Sequence, residues 1–169
     1  MMMELPPAGS QAEDGVETTP PPPPPATRRF LTGLVGRDIL VSRSPWLHEK
    51  EADALGVRLV YTLFDFTARG WGEAQLPHLL DACETIGFAG LNITYPFKQA
   101  VIAHLDDLSD GARRIGAVNT VAFVGGKRVG YNTDVTGFAD AMQRGLAGAS
   151  AAHVVQCGAG GAGSATAFA

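Results

Sequence analysis

The sequence predicts an α/β fold, a mixed, mainly parallel sheet with flanking helices, and two observations carry that prediction. From Phe30 onward, short apolar runs alternate with amphipathic stretches, the pattern of strand–helix–strand units. Further along, two such runs meet at Gly125-Gly126, the signal of an antiparallel hairpin that makes the sheet mixed.

Taken in order, Phe30 to Val35 reads as a first strand. Ser44-Pro45 has the form of an N-cap followed by proline at the first helical position, opening a helix that runs to Leu55 and stops at Gly56. Val57 to Phe66 supplies a second strand. A helix from about Trp71 to Ile86 follows, with Leu76, Leu79, Leu80 and Cys83 at helical spacing and Gly87 as its stop. Phe88 to Ile93 makes a third strand, and Thr94-Tyr95-Pro96 turns the chain into the next helix. Asp110 to Ile115 is helical, Ala117 to Val124 and Lys127 to Tyr131 form the hairpin, and Val135 to Arg144 is again helical. Gly145 to Ser150 has the composition of a linker, and His153 to Cys157 reads as a new strand running into glycines. No internal repeat is visible.

Three regions follow. Residues 1–29, with the unbroken run Pro20 to Pro25, have the composition of a solvated polyproline tail and are expected to be disordered. Residues 30–148 are expected to form one domain, and residues 149–169, where an apolar run leads into glycines, the start of a second, Rossmann-type domain. A single strand and the start of a helix cannot build a parallel sheet alone, so the chain is expected to be a truncated form.

Composition narrows the function classes. The formal charge of −4, from 17 acidic and 13 basic side chains without a long run of either sign, lacks the footprint of a nucleic-acid binder. No apolar run approaches the roughly 18 to 20 residues that span a bilayer, and the start lacks a secretory pattern. Cys83 and Cys157 imply no disulfide framework, which fits a reducing cytoplasm. Small-molecule partners are expected, without nucleic acid or membrane, and a monomer or homodimer.

Gly158, Gly160 and Gly163 have the G-x-G-x-x-G spacing, with Gly161 inside it, after an apolar run and before small helix formers. Backbone without side chains can approach a pyrophosphate, which the free amides and positive end of the next helix hold. The bland alternative is a tight strand-to-helix turn. The cofactor is expected to be NADP or NAD, because the residue that separates them falls about 20 residues beyond the fingerprint.

Three polar clusters stand at predicted strand ends, where open α/β sheets bind ligands. In Ser42-Arg43-Ser44-Pro45, the residues alone favour Ser44 as a helix cap and Ser42 as a loop residue. In Asn92 to Lys98, Asn92 and Thr94 alternate with Leu91 and Ile93, and Lys98 follows at a helix start, where a cation opposes the dipole. The third cluster joins Gly116 to Thr120 with Asn132-Thr133-Asp134, Asp134 reading equally as N-cap or catalytic group. The hydroxyls and amides suit a polyhydroxy acid, and one lysine with one aspartate suits proton transfer. No cluster has metal-ligand spacing, and His48, His78, His104 and His153 are scattered.

In this order the clusters resemble the shikimate/quinate dehydrogenases from about Leu31 to the end: a serine pair, N-x-T-x-P-x-K, G-A-V-N-T and N-T-D. Asn132 to Phe138 and the loop Gly158 to Ser164 look closest to actinobacterial quinate/shikimate members. The resemblance implies NAD(P)-dependent oxidation of a ring hydroxyl of shikimate or quinate. It implies that Ser42 and Ser44 hold the carboxylate, that Thr94, Asn119 and Asp134 bind ring hydroxyls, and that Lys98 is catalytic with Asp134. Val135-Thr136-Gly137 departs from many shikimate enzymes, which carry glycine directly after the aspartate, and leaves quinate open. A chain of this extent is expected to be inactive by itself. The rival reading is a non-catalytic shikimate/quinate sensor or pseudoenzyme, against which Lys98 and Asp134 together argue, since a pure binder does not need both.

Overall fold

The computed structural model describes residues 28–147 and 153–169, so the proline run and residues 148–150 of the linker expected at 145–150 lie outside the described residues. Along the chain run β1 (Arg29–Gly36), α1 (Ser44–Ala54), β2 (Arg58–Asp65), α2 (Gln75–Ile86), β3 (Gly90–Ile93), α3 (Phe97–Ala100) with a 3₁₀ turn at Val101–His104, and β4 (Asp107–Leu108). Then come α4 (Asp110–Ile115), β5 (Thr120–Val124), β6 (Lys127–Tyr131), α5 (Asp134–Gly145) and α6 (Gly161–Phe168). The six strands form one sheet in the order β2-β1-β3-β5-β6-β4. Three pairings are parallel and two antiparallel, the mixed and mainly parallel sheet that the patterning implies.

One face carries the main core. Val35, Leu91, Ile93 and Val121 from the strands meet Leu76, Leu80 and Cys83 of α2, Phe97 of α3 and Val101, all at most 2% exposed. Each large apolar side chain so buried contributes about 1.5–3 kcal/mol relative to exposure. Phe66 centres this cluster, its ring 4.4 Å from Phe97 and 5.4 Å from Trp71, edge-on to the latter. The opposite face holds a smaller cluster of Leu34, Ile39 and Tyr61, with α1 packed against β2.

Several elements differ from expectation. The second helix starts at Gln75 rather than Trp71, because the Trp71 N–H donates to the Phe66 carbonyl and the Gly72 N–H to Gln75 Oε1, which keeps 71–72 out of the helix and leaves a turn at 73–74. β4, two residues long, is too short to leave a periodic signal and exists only by pairing with β6. The strand expected at His153–Cys157 does not form. That segment is exposed and joins no ladder, and an extended segment with no neighbouring strand leaves its backbone groups to water. Among the described residues no helix is long and apolar enough to cross a membrane.

Register explains why the polar motifs meet. Gly36 at the end of β1 pairs with Asp65 at the end of β2, and Val35 pairs with Ile93 at the end of β3. Thr120, which opens β5, pairs with Asn92 and also with Tyr131, which ends β6. The segments after β1, β3 and β6 and the segment before β5 therefore share one sheet edge, and they carry Ser42, Ser44, Thr94, Lys98, Asn119 and Asp134.

Candidate active site

Lys98 and Asp134 form the centre of this edge. Buried Phe97 anchors the short α3 on Phe66, which leaves Lys98, the next residue, at the rim. The Lys98 backbone carbonyl accepts from the Val118 N–H at 2.7 Å, tying α3 to the segment that leads into β5. Lys98 Nζ donates to Asp134 Oδ2 at 2.6 Å, with the lysine side chain 18% and the aspartate 33% exposed. A lysine at a helix start is thus matched by a carboxylate from another helix. Asp134 is the first residue of α5 and caps nothing; Thr133 holds the N-cap position without a side-chain cap.

Asn119, 9% exposed, is the hub behind the pair. Its Nδ2 donates to Asp134 Oδ1 at 2.8 Å and to Thr133 Oγ1 at 2.9 Å. Its Oδ1 accepts from the Thr133 N–H and the Thr120 hydroxyl, both at 3.0 Å. Asn132, equally buried, donates to the Ala117 carbonyl and accepts from the Asp134 N–H. Both asparagines lock the turn into α5, so the carboxylate of Asp134 is aimed rather than free to rotate.

The serine pair departs from its expected geometry. Ser44 is the first residue of α1, and Arg43 occupies the cap position without a side-chain bond. Ser42 Oγ instead accepts from the Ser44 N–H at 3.2 Å and donates to Ser44 Oγ at 3.0 Å, so the loop residue does the capping and the two hydroxyls stand together. Beside them, the Tyr61 hydroxyl donates to Asn92 Oδ1 at 2.7 Å, and the His48 ring stacks on Tyr61 at 4.6 Å. Burial pushes the Tyr61 phenol up to about 12 despite a bond with Ser44, so it stays a donor. Asn92 Nδ2 in turn donates to Thr120 Oγ1 at 3.3 Å. The roles of Tyr61 and Asp65 leave no local motif in the sequence, because Asn92 lies 31 residues from Tyr61 and the Asp38, Ile39 and Leu40 amides lie 25 to 27 residues from Asp65.

The glycine loop closes against Lys98. A cleft of about 490 Å³ is lined by Thr94, Lys98, Cys157, Gly158, Gly160, Gly161 and Gly163. Gly158 has φ +107°, a left-handed conformation that favours glycine. A Cβ on Gly163 would lie 2.4 Å from the Gly158 carbonyl oxygen, whereas a Cβ on Gly160 would meet nothing within 4 Å. One glycine thus permits close packing of loop on helix while another leaves its backbone open to a ligand at the start of α6, the division of labour of a dinucleotide loop. Gln156 Nε2 donates to the carbonyls of Gly158 and Gly163 at 2.7 and 2.9 Å, latching the loop; it sat unnoticed within the run read as a strand.

Ser42, Ser44, Asn119 and Asp134 share the sheet edge but are not among the walls of this cleft, to which the Lys98–Asp134 pair links them. A larger hollow of about 670 Å³, around Arg29, Arg58 and Gly87, contains none of the predicted site residues. Among the described residues no group of three His, Cys, Asp or Glu side chains is placed to hold a metal.

A family model for the shikimate dehydrogenase substrate-binding domain matches residues 34–121. The chain belongs to this family. It is 52% identical over 140 residues to a shikimate dehydrogenase (NADP(+)) of Streptomyces avermitilis, covering 83% of this chain and 48% of the relative. It is 50% identical over 140 residues to a quinate/shikimate dehydrogenase (NAD(+)) of Corynebacterium efficiens, covering 82% and 49%. The structure of quinate dehydrogenase from Corynebacterium glutamicum in complex with NAD superposes with a TM-score of 0.77 at 45% identity, covering 84% of this chain and 51% of the other. The chain spans about half the length of the curated relatives it matches.

Proposed function

We propose that this chain supplies the substrate-binding side of an NAD(P)-dependent shikimate or quinate dehydrogenase, an enzyme that reversibly oxidises a ring hydroxyl of shikimate to 3-dehydroshikimate or of quinate to 3-dehydroquinate. In this reading residues 30–148 form the substrate domain and residues 149–169 open the Rossmann-type domain. The observation that carries it is the Lys98–Asp134 pair at 2.6 Å, with Lys98 and the glycine loop lining the same cleft.

Oxidising an alcohol removes a hydride from carbon and a proton from oxygen, so a proton acceptor must stand beside a hydride acceptor. Lys98 Nζ in its neutral amine form receives the hydroxyl proton and becomes the ammonium, and Asp134 holds both Lys98 and the reacting hydroxyl. Asn119 fixes Asp134 through its 2.8 Å bond and, with Thr94, binds further ring hydroxyls. The paired hydroxyls of Ser42 and Ser44 bind the substrate carboxylate. The open backbone at Gly160, with Gly158, Gly161 and Gly163, fits a dinucleotide pyrophosphate at the start of α6. NAD or NADP held there supplies the acceptor for the hydride.

The test is oxidation of shikimate and of quinate with NAD and with NADP by the protein from its whole reading frame. Reduced nucleotide is expected with at least one acid. Binding of an acid without turnover would instead support the non-catalytic sensor, and neither binding nor turnover sinks both readings.

A further inference from the structure

Asp65 ends β2 and is 2% exposed, yet no cation lies within ion-pair distance of it among the described residues. Its carboxylate is saturated by backbone. Oδ1 accepts from the N–H groups of Asp38, Thr67 and Ala68 at 3.2, 2.9 and 3.2 Å, and Oδ2 from those of Ile39 and Leu40 at 2.7 and 3.2 Å. Burial pushes this carboxyl up, but the bonds from Ala68, Ile39, Asp38 and Thr67 together outweigh it and hold it below the ordinary value. Three of the five donors belong to the turn after β1, where Asp38 has φ +54°, an uncommon conformation for a residue with a side chain.

That turn leads directly into the serine pair. The Ser42 N–H donates to the Ile39 carbonyl at 2.9 Å, and Ser42 Oγ then engages both the Ser44 N–H and its hydroxyl. We infer that Asp65 is a positioning residue for substrate-carboxylate recognition, a buried anion whose backbone clamp on Asp38–Leu40 sets the two hydroxyls of Ser42 and Ser44. The inference rests on the proposed assignment of those serines to the carboxylate. Asparagine at this position would present an NH₂ to backbone donors that need an acceptor, so an isosteric change breaks the clamp.

The test compares Asp65→Asn with wild type, using shikimate or quinate and the methyl ester of the same acid as paired substrates. The expected result is an acid KM raised about tenfold or more, with kcat within about threefold and the ester KM and nucleotide KM unchanged, because uniform binding of one substrate group is what is lost. A general loosening of the fold would instead affect acid, ester and nucleotide together. Val41→Gly provides a second variant that keeps the fold: Val41 is 91% exposed and is the one residue between the clamped turn and Ser42. It is expected to shift the acid-to-ester ratio in the same direction by a smaller factor. An unchanged ratio in both variants overturns the inference while leaving the dehydrogenase reading intact. Failure of wild type to oxidise either acid removes the reading beneath it.

Discussion

Replacing Asn119 with alanine tests whether the hub behind the ion pair has the energetic weight its bonds imply. Four partners lose a bond: Asp134 Oδ1, the Thr133 N–H and the hydroxyls of Thr133 and Thr120. The hydroxyls turn to water at little cost, since Thr133 is exposed and Thr120 half-buried. The amide loses about 1 kcal/mol, and the carboxylate bond, stronger because one partner is charged but eased by the 33% exposure of Asp134, about 1–2 kcal/mol. The total is about 2–3 kcal/mol, which for a domain of this size lowers Tm by about 10 °C. Urea unfolding and thermal melts followed by circular dichroism read this directly. Asn119→Asp retains an acceptor for the Thr133 N–H but sets two carboxylates 2.8 Å apart, and is expected to lose at least as much. A loss below about 0.5 kcal/mol in the alanine variant would refute the hub argument.

Lys98→Ala is expected to lower kcat by about 10²–10⁴-fold, the range for removing a proton-transfer group, while substrate binding persists; kcat and binding measured together check this, and turnover near wild type removes Lys98 from the chemistry. Gly163→Ala forces a Cβ to 2.4 Å from the Gly158 carbonyl oxygen, an overpacking of about 1–3 kcal/mol, so NAD(P) is expected to bind about 5- to 150-fold more weakly by calorimetry, with substrate affinity unchanged. Cys83 is 2% exposed and burial pushes its thiol up to about 11, whereas Cys157 is exposed at the cleft. Iodoacetamide at neutral pH is therefore expected to label Cys157 in the native chain and Cys83 only after denaturation, as read by peptide mass mapping.

Local chemistry made much of the fold legible. The spacing of Leu76, Leu79, Leu80 and Cys83 with Gly87 behind it marks α2, and Gly125-Gly126 between two apolar runs marks the β5–β6 hairpin, because both signals lie within a few residues of chain. Asp110–Ile115 is helical over the expected span, capped by Ser109, which accepts from the Ala112 N–H. The run His153 to Cys157 misled because apolar composition describes what a strand does to a neighbour, and no strand stands beside it.

Residue types at the site were legible for the same reason: hydroxyls, amides, one lysine and one aspartate, each within a short motif. By itself the sequence determined the α/β class, the order of the motifs and the small-residue spacing of the glycine loop. Only the tertiary structure decided that Lys98 takes Asp134 as its partner across 36 residues, that Ser42 rather than Ser44 does the capping, and that Asp65, 25 to 27 residues away, clamps the turn before the serines. Those bonds depend on strand order and register, which place distant segments at one sheet edge. Register is set by the packing of whole faces, a property that no single stretch of sequence contains.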